Sequence, residues 1–333
     1  MGSLRSPYRP TRRELLTALP VAVVGASCRQ TLYDRSAFAV PGASEVALLP
    51  ASDYGPSAVE AIRRGIEMLR PDVRGRRVLL KPNLVEYESG TVINTNPLVV
   101  AGAIEAFRRA GAREVVVGEG PGHRRDTEFL LAASGLADYL RELRVPFIDL
   151  NLDDVQSVTL RSRFMRRAQL MLPVEVLKSD FVVSMAKLKT HHWAGMTAAM
   201  KNLFGLVPGA VYGWPKNFLH IQGIDSSILD INATVRPSFA IVDAVVAMEG
   251  DGPIMGKPRK CGFLAMGPDL VAVDSTCAGI MGFDPERIPY LRDASRFLGN
   301  ADPARINQRG EHPARFTVSF DVIDRLKPLQ RKG

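Results

Sequence analysis

Three lysines and two histidines crowd the stretch from Lys187 to Lys201, namely Lys187, Lys189, His191, His192 and Lys201. Clustered cations disfavour one another unless an anion or a lowered pKa relieves them. The pattern points to a pocket for a phosphate or carboxylate, with a histidine as the acid–base group. A solvated loop with a charged rim is the plain alternative. His123 and His220 also lie in polar or glycine-rich contexts. A second set is acidic: Asp243, Glu249, Asp251, Asp269 and Asp274. Asp243 with the flexible Glu249–Gly252 loop could hold a hard cation such as magnesium. The structural reading is that Asp251 makes a turn and Asp269 caps a helix.

These residues need a scaffold, and the hydrophobic pattern supplies one. Residues 57–69 have helical spacing, with Ser57 as the expected cap. Arg77 to Lys81 reads as a strand, and Pro82 to Asn96 as a loop rich in Asn, Gly and Pro. Pro97 to Ala110 reads as a helix that opens on proline and is followed by Gly111. Strands are expected over Glu114–Val117, near Pro146–Asp149, over Phe181–Ser184 and over Phe239–Ala247. Ala198–Phe204 opens a helix, Gly205–Asn217 is a shaped loop, and Asp269–Met281 is a helix. Alternating strands and helices imply a parallel or mixed α/β sheet with helices on both faces, in two subdomains around a cleft. In such sheets the loops after the carboxyl ends of strands carry the ligands, so those beginning at Lys81 and Gly118 come first.

Composition excludes several classes. Hydrophobic residues make up 46% and charged residues 23%, which rules out a mostly disordered chain and a polytopic membrane protein. The net charge is +8. Arg5, Arg9, Arg12, Arg13 and Arg29 against Glu14 give the first thirty residues about half of that excess. The remainder is thin, so no nucleic-acid partner is expected. Thr11-Arg12-Arg13-Glu14 precedes the apolar run Leu15–Ala26, which is too short for a stable span. Residues 1–30 therefore read as a twin-arginine signal. The twin-arginine translocase is the expected partner, and the mature part, 31–333, is exported without an integral membrane span. Cys28 is a possible lipidation point. The cysteines are Cys28, Cys261 and Cys277, and no CxxC occurs, which excludes a cysteine-rich zinc site or an iron–sulfur cluster of the chain's own. Cys261 and Cys277 read as two small buried thiols.

The ordered motifs Lys81-Pro82-Asn83-Leu84, Val117-Gly118-Glu119-Gly120, Lys187-Leu188-Lys189-Thr190-His191, Met200-Lys201-Asn202-Leu203-Phe204-Gly205 and Asp251-Gly252-Pro253 resemble the domain of unknown function 362 family from about Glu45 to about Gly299. That family has no settled general activity. A more distant resemblance is to the nickel-pincer lactate racemases. His191-His192-Trp193-Ala194-Gly195 followed by Lys201 is similar to their His-Pro-aromatic-Ala-Gly…Lys segment. The resemblance implies that Lys201 tethers a pyridinium-derived cofactor and that His191 serves as acid or base. Gly120-Pro121-Gly122-His123-Arg124 resembles the loop that supplies an opposing histidine, and His220 stands roughly where those enzymes place a nickel ligand. The chain departs from their pattern in the longer Lys201–His220 segment, in Asn202 after the lysine, and in lacking an Asp-x-Thr-Arg signature near Lys81-Pro82-Asn83.

The expected site is therefore a cleft lined by Lys81, Asn83, Glu119, His123, Lys189, His191, Lys201, Asn202 and His220. His123, His191 and Lys201 would carry catalysis. Lys81, Asn83, Glu119, Lys189, Lys201 and Asn202 would hold a ligand or cofactor, and His220 would bind metal. The expected function is proton or hydride transfer on a small anionic substrate, with a nickel-pincer nucleotide as the candidate cofactor. The alternative is a non-catalytic periplasmic protein that binds an anion or cofactor with the same lysines. A third option, an electron-transfer accessory, is disfavoured by the few cysteines.

Overall fold

Apolar residues run almost unbroken along much of the central strands, and successive ones face opposite cores. The computed structural model describes residues 31–122 and 126–331, so the signal read at 1–30, Cys28 and His123 lie outside the described residues. The strands are β1 (Ser44–Pro50), β2 (Arg77–Pro82), β3 (Glu114–Glu119), β4 (Phe147–Asp149), β5 (Val155–Thr159), β6 (Gln169–Pro173), β7 (Phe181–His191), β8 (Gly195–Thr197), β9 (Phe239–Glu249), β10 (Lys257–Gly267) and β11 (Ile306–Gly310). The helices that matter for the site and core are α1 (Pro56–Leu69), α2 (Pro97–Arg109), α3 (Leu136–Leu143), α4 (Ala199–Asn202), α5 (Asn217–Ile221), α6 (Ile224–Val235) and α7 (Leu270–Ile280). Val78 and Leu80 of β2 join one core with α1, α2 and α3, whereas Leu79 joins the other with α6 and α7. Val115 and Val117 of β3 likewise oppose Val116. A sheet buried on both faces needs such near-continuous apolar strands.

The main sheet runs β11–β1–β10–β9–β7–β2–β3–β4, and β8 pairs with the end of β7. Neighbours from β9 to β4 are parallel, as are β1 and β11, whereas β10 is antiparallel to both β9 and β1. The fold is thus a mixed, mostly parallel α/β sheet with helices on both faces. From β2 the chain goes outward to β3 and β4, then returns to the opposite side of β2 as β7 and on to β9. Such a reversal of strand order is where open α/β sheets bind ligands, at the carboxyl ends of the strands. Residues near 150–180 contain the separate two-stranded ribbon of β5 and β6. Among the described residues no helix is long and apolar enough to cross a membrane.

Three local expectations need correction. Ser57 is not the cap of α1. Gly55 holds that position, Pro56 begins the helix, and Ser57 Oγ donates to the Asp53 carbonyl instead (3.2 Å). Proline's fixed φ and missing N–H suit the first helical position, which moves the start upstream. The strand expected over Phe181–Ser184 runs on to His191, and every residue of it is buried. Alternating lysines conceal this continuation, because a strand interior rarely carries them. It persists because β8 hydrogen-bonds its end, pairing Lys189 with Thr197 and His191 with Gly195, and because each ammonium finds acceptors. Finally, the Gly205–Asn217 loop contains a helical turn, Gly209–Tyr212, and leads into α5.

Candidate functional site

The carboxyl ends of β2, β3 and β7 deliver Lys81, Glu119, Lys189 and His191 to one cavity of about 380 Å³. Asn83 follows β2, Lys201 and Asn202 come from α4, and His220 comes from α5. Every described residue expected at the site therefore lines the same cavity. Lys216 and Met255, which sequence reasoning did not single out, line it too, as do Trp193 and Phe204 of the quoted motifs.

A buried network forms part of the wall. Lys81 and Glu119 are each 1% exposed, and their ion pair spans 2.5 Å. Lys81 Nζ also donates to the Pro82 carbonyl and Asn202 Oδ1, both at 2.9 Å. Glu119 Oε2 accepts a second bond from the Leu84 N–H (3.1 Å), and Oε1 accepts from the Gly120 N–H (2.9 Å). Asn202 Nδ2 donates to the Lys81 carbonyl and to Ser184 Oγ. Burial pulls the Lys81 ammonium below the ordinary lysine value, and the Glu119 charge opposes that pull. A Cβ at Gly205 would overlap Glu119 Oε1 and come within 2.6 Å of Lys81 Nζ. Gly205→Ala is accordingly expected to destabilise the protein by about 1–3 kcal/mol, a typical overpacking cost, measured by urea unfolding.

Counting donors separates the lysines. An ammonium has three N–H bonds to give. Lys81 uses all three as described. Lys216, in a left-handed conformation (φ 66°), gives its own to the carbonyls of Gly120 (2.9 Å), Phe204 (3.3 Å) and Gly205 (3.1 Å). Lys187 gives its three to Tyr54 OH, Asp243 Oδ2 and the Val246 carbonyl, away from the cavity. Lys189 uses two, on the carbonyls of Ile93 (2.8 Å) and Pro253 (3.3 Å). Lys201 uses none among the described residues, and its Nζ lies 4.1 Å from the centroid of the Phe204 ring. Burial and then the Lys81 charge push the Lys201 amine down to about 7. Burial, and next the Lys201 charge, hold the Lys189 ammonium well below the ordinary value.

Two of the cavity histidines, His191 and His220, are fixed in opposite tautomers. His191 Nδ1 accepts the N–H groups of Trp193 and Ala194, each at 3.2 Å, so the ring proton sits on Nε2. Burial, then the Lys201 charge, keeps this imidazole neutral well below the usual histidine value. His220 Nδ1 faces the Lys216 carbonyl at 3.1 Å and must donate to it, which leaves the Nε2 lone pair free. His191 is thus a hydrogen-bond donor, and His220 offers a base or a metal ligand. Nitrogen-15 NMR should show the His191 ring as the Nε2–H tautomer with no titration between about pH 5 and 8. A titrating His191 in that window would contradict the assignment.

Lys201 is held from behind. Asp274 of α7 accepts the N–H groups of Ala199 (2.7 Å) and Met200 (3.1 Å), which start α4. Burial raises this carboxyl to about 7. The other acidic candidates serve the scaffold. Asp243 is tied to Lys187 and Tyr54, Glu249 accepts from the Asp321 N–H, and Asp269 caps α7. Asp251 lines the cavity, 3.7 Å from His192. Among the described residues no group of three or more His, Cys, Asp or Glu side chains could hold a metal ion. Cys277 is buried and Cys261 partly so, and both are free thiols.

The cavity's carriers all fall within residues 78–279, which match the family model described as domain of unknown function (DUF362), and the chain belongs to that family. A thylakoid-associated protein of Synechocystis sp. is 31% identical over 263 residues, covering 77% of this chain and 78% of that protein. Among solved structures, the lactate racemase apoprotein of Thermoanaerobacterium thermosaccharolyticum aligns with a TM-score of 0.46 and 11% identity, over 73% of this chain and 57% of the racemase. A Thermotoga maritima structural-genomics protein aligns with a TM-score of 0.39 and 14% identity, over 69% of this chain and 59% of that one. The alignments span less than two thirds of either solved chain.

Proposed function

We propose that this cavity is the active site of an enzyme that binds a small anion and moves a proton on it. The observation that carries the reading is the donor count. Among the described residues, Lys201 and Lys189 are the cavity lysines that keep N–H bonds for a ligand, and Glu119, the buried carboxylate beside them, is already paired. Lys189 anchors the anion with its remaining N–H. His191 Nε2–H donates to an oxygen of the ligand and stabilises negative charge developing there. Lys201, near neutrality, supplies a base on the Phe204 side, and the His220 Nε2 lone pair supplies a second one. With one of the two groups entering protonated, the neutral one takes a proton from one face of a carbon and the other gives its own proton to the opposite face, so the pair ends with its charge exchanged. This is what a racemase or isomerase requires.

A nickel-pincer cofactor extends the same reading, and the residues present fit it at two points. Lys201 has an amine without a hydrogen-bond acceptor among the described residues, able to form a covalent link near pH 7. His220 presents one free imidazole nitrogen, a suitable nickel donor for a group that brings its other donors with it. Such a group would supply a hydride acceptor when bound. Twin-arginine export is part of the same proposal and rests on Arg12 and Arg13 ahead of the apolar run Leu15–Ala26.

The test is intact mass and elemental analysis of protein purified from its own host, beside Lys201→Ala. A covalent mass excess that the variant loses, with stoichiometric nickel, supports the cofactor. An unmodified, metal-free chain removes the cofactor and leaves acid–base chemistry by side chains. That chemistry is read as carbon-bound proton exchange of small carboxylates in deuterated water. It is expected to fall by about 10²–10⁴-fold in Lys201→Ala, and no exchange with any of them would sink the enzyme reading.

A further inference from the structure

A run of rings descends from the surface to the floor of the cavity. Trp193, 51% exposed, stands at the rim, with its ring 5.1 Å from that of His220. His220 lies 5.2 Å from Phe204, which is buried, and Phe204 meets the Lys201 ammonium at 4.1 Å. Pro253, Ile254 and the 74% exposed Met255 also line this cavity. Trp193 and Met255 are thus exposed apolar groups gathered at one cavity, and apolar surface gathered at a groove marks a binding site. At the polar end, Asn83 Oδ1 is buried and has no hydrogen-bond partner among the described residues. A buried polar atom without a partner carries a desolvation cost that a bound donor removes. The volume, about 380 Å³, is that of a site for a molecule larger than a few carbons.

We propose that the ligand is an aromatic anion. Its carboxylate or phosphate meets Lys189 and the His191 Nε2–H beside Lys201, a neighbouring O–H or N–H donates to Asn83 Oδ1, and its flat apolar body lies along Phe204, His220, Trp193 and Met255. The inference rests on the anion reading above and adds the body that the anion carries. Ring-on-ring and ring-on-methionine contacts favour an aromatic over an equally sized polar group.

The test uses three probes on the full protein, followed by calorimetry: 3-phenylpropionate, propionate and the uncharged 3-phenylpropanol. Phenylpropionate should bind at least about tenfold more tightly than propionate, a modest return for burying one ring. Trp193→Ala, at a half-exposed position where truncation spares the core, should collapse that ratio toward one. Equal affinity for phenylpropionate and propionate, both exceeding the alcohol, overturns the aromatic body and leaves the anion site standing. An alcohol that binds as well as its acid overturns the anion site itself. A ratio unchanged in Trp193→Ala removes the ring path from the account, and no binding by any probe overturns both readings.

Discussion

Lys201→Met unfolds later than the wild type, by about 1–4 kcal/mol at neutral pH, while binding of small anions in the cavity is lost. The cause is that Lys201 lacks any hydrogen-bond acceptor among the described residues and sits among other cations, with its amine pushed down to about 7. Holding a proton there costs free energy that a methionine of similar length does not incur. The pH dependence gives the sign. An unfolded lysine titrates near about 10.4. Between about pH 7 and 10.4 the unfolded chain carries a proton that the folded site has released, so this group makes stability rise with pH in that window. The gain from methionine is therefore largest at and below pH 7 and fades toward pH 10.4. Urea unfolding of both proteins at several pH values reads it. A variant that is less stable at every pH would mean that Lys201 has a structural partner.

Glu119→Ala has the opposite effect, a loss of about 3–5 kcal/mol, because it leaves the Lys81 ammonium buried without its countercharge. It also strands the N–H groups of Leu84 and Gly120. The double variant Lys81→Met/Glu119→Leu should recover much of that loss, since an apolar pair removes both desolvated charges together. Denaturant midpoints for the single and double variants give the coupling energy. A single variant within about 0.5 kcal/mol of wild type, the range of an ordinary surface change, would contradict a buried pair.

These two lysines show what the sequence could and could not convey. Both were legible as cavity residues, from their place after strands and within shared motifs. Their roles were not, since a role depends on how many acceptors the fold brings to each ammonium. Lys81 is saturated by Glu119, Asn202 and a carbonyl, and Lys201 meets no acceptor among the described residues, only the Phe204 ring. Lys216 escaped notice because it stands alone in an aromatic, proline-rich segment. Its left-handed backbone, which turns Nζ back onto three carbonyls, has no sequence signature outside Gly, Asn and Asp. The parallel sheet was readable because short apolar strands alternate with helices along the sequence. The end of β7 was not, because Lys187 and Lys189 break the apolar pattern while remaining buried. The acidic set read equally as a cation site or as turns and caps; Asp243, Glu249 and Asp269 are tethers and caps and Asp251 lines the cavity, a distinction made by partners distant in sequence, such as Asp243 with Lys187. His191 was legible as a chemical group, but only the Trp193 and Ala194 N–H groups on its Nδ1 make it a donor.

The most direct test of the account is the titration of the Lys201 amine by competitive acetylation, read by peptide mass spectrometry across pH. The account predicts half-maximal reactivity near pH 7, and a shift upward when the cavity is saturated with a carboxylate, because a neighbouring anion favours the charged form. A Lys201 that titrates with the exposed lysines near about 10.4, unmoved by anions, would contradict it.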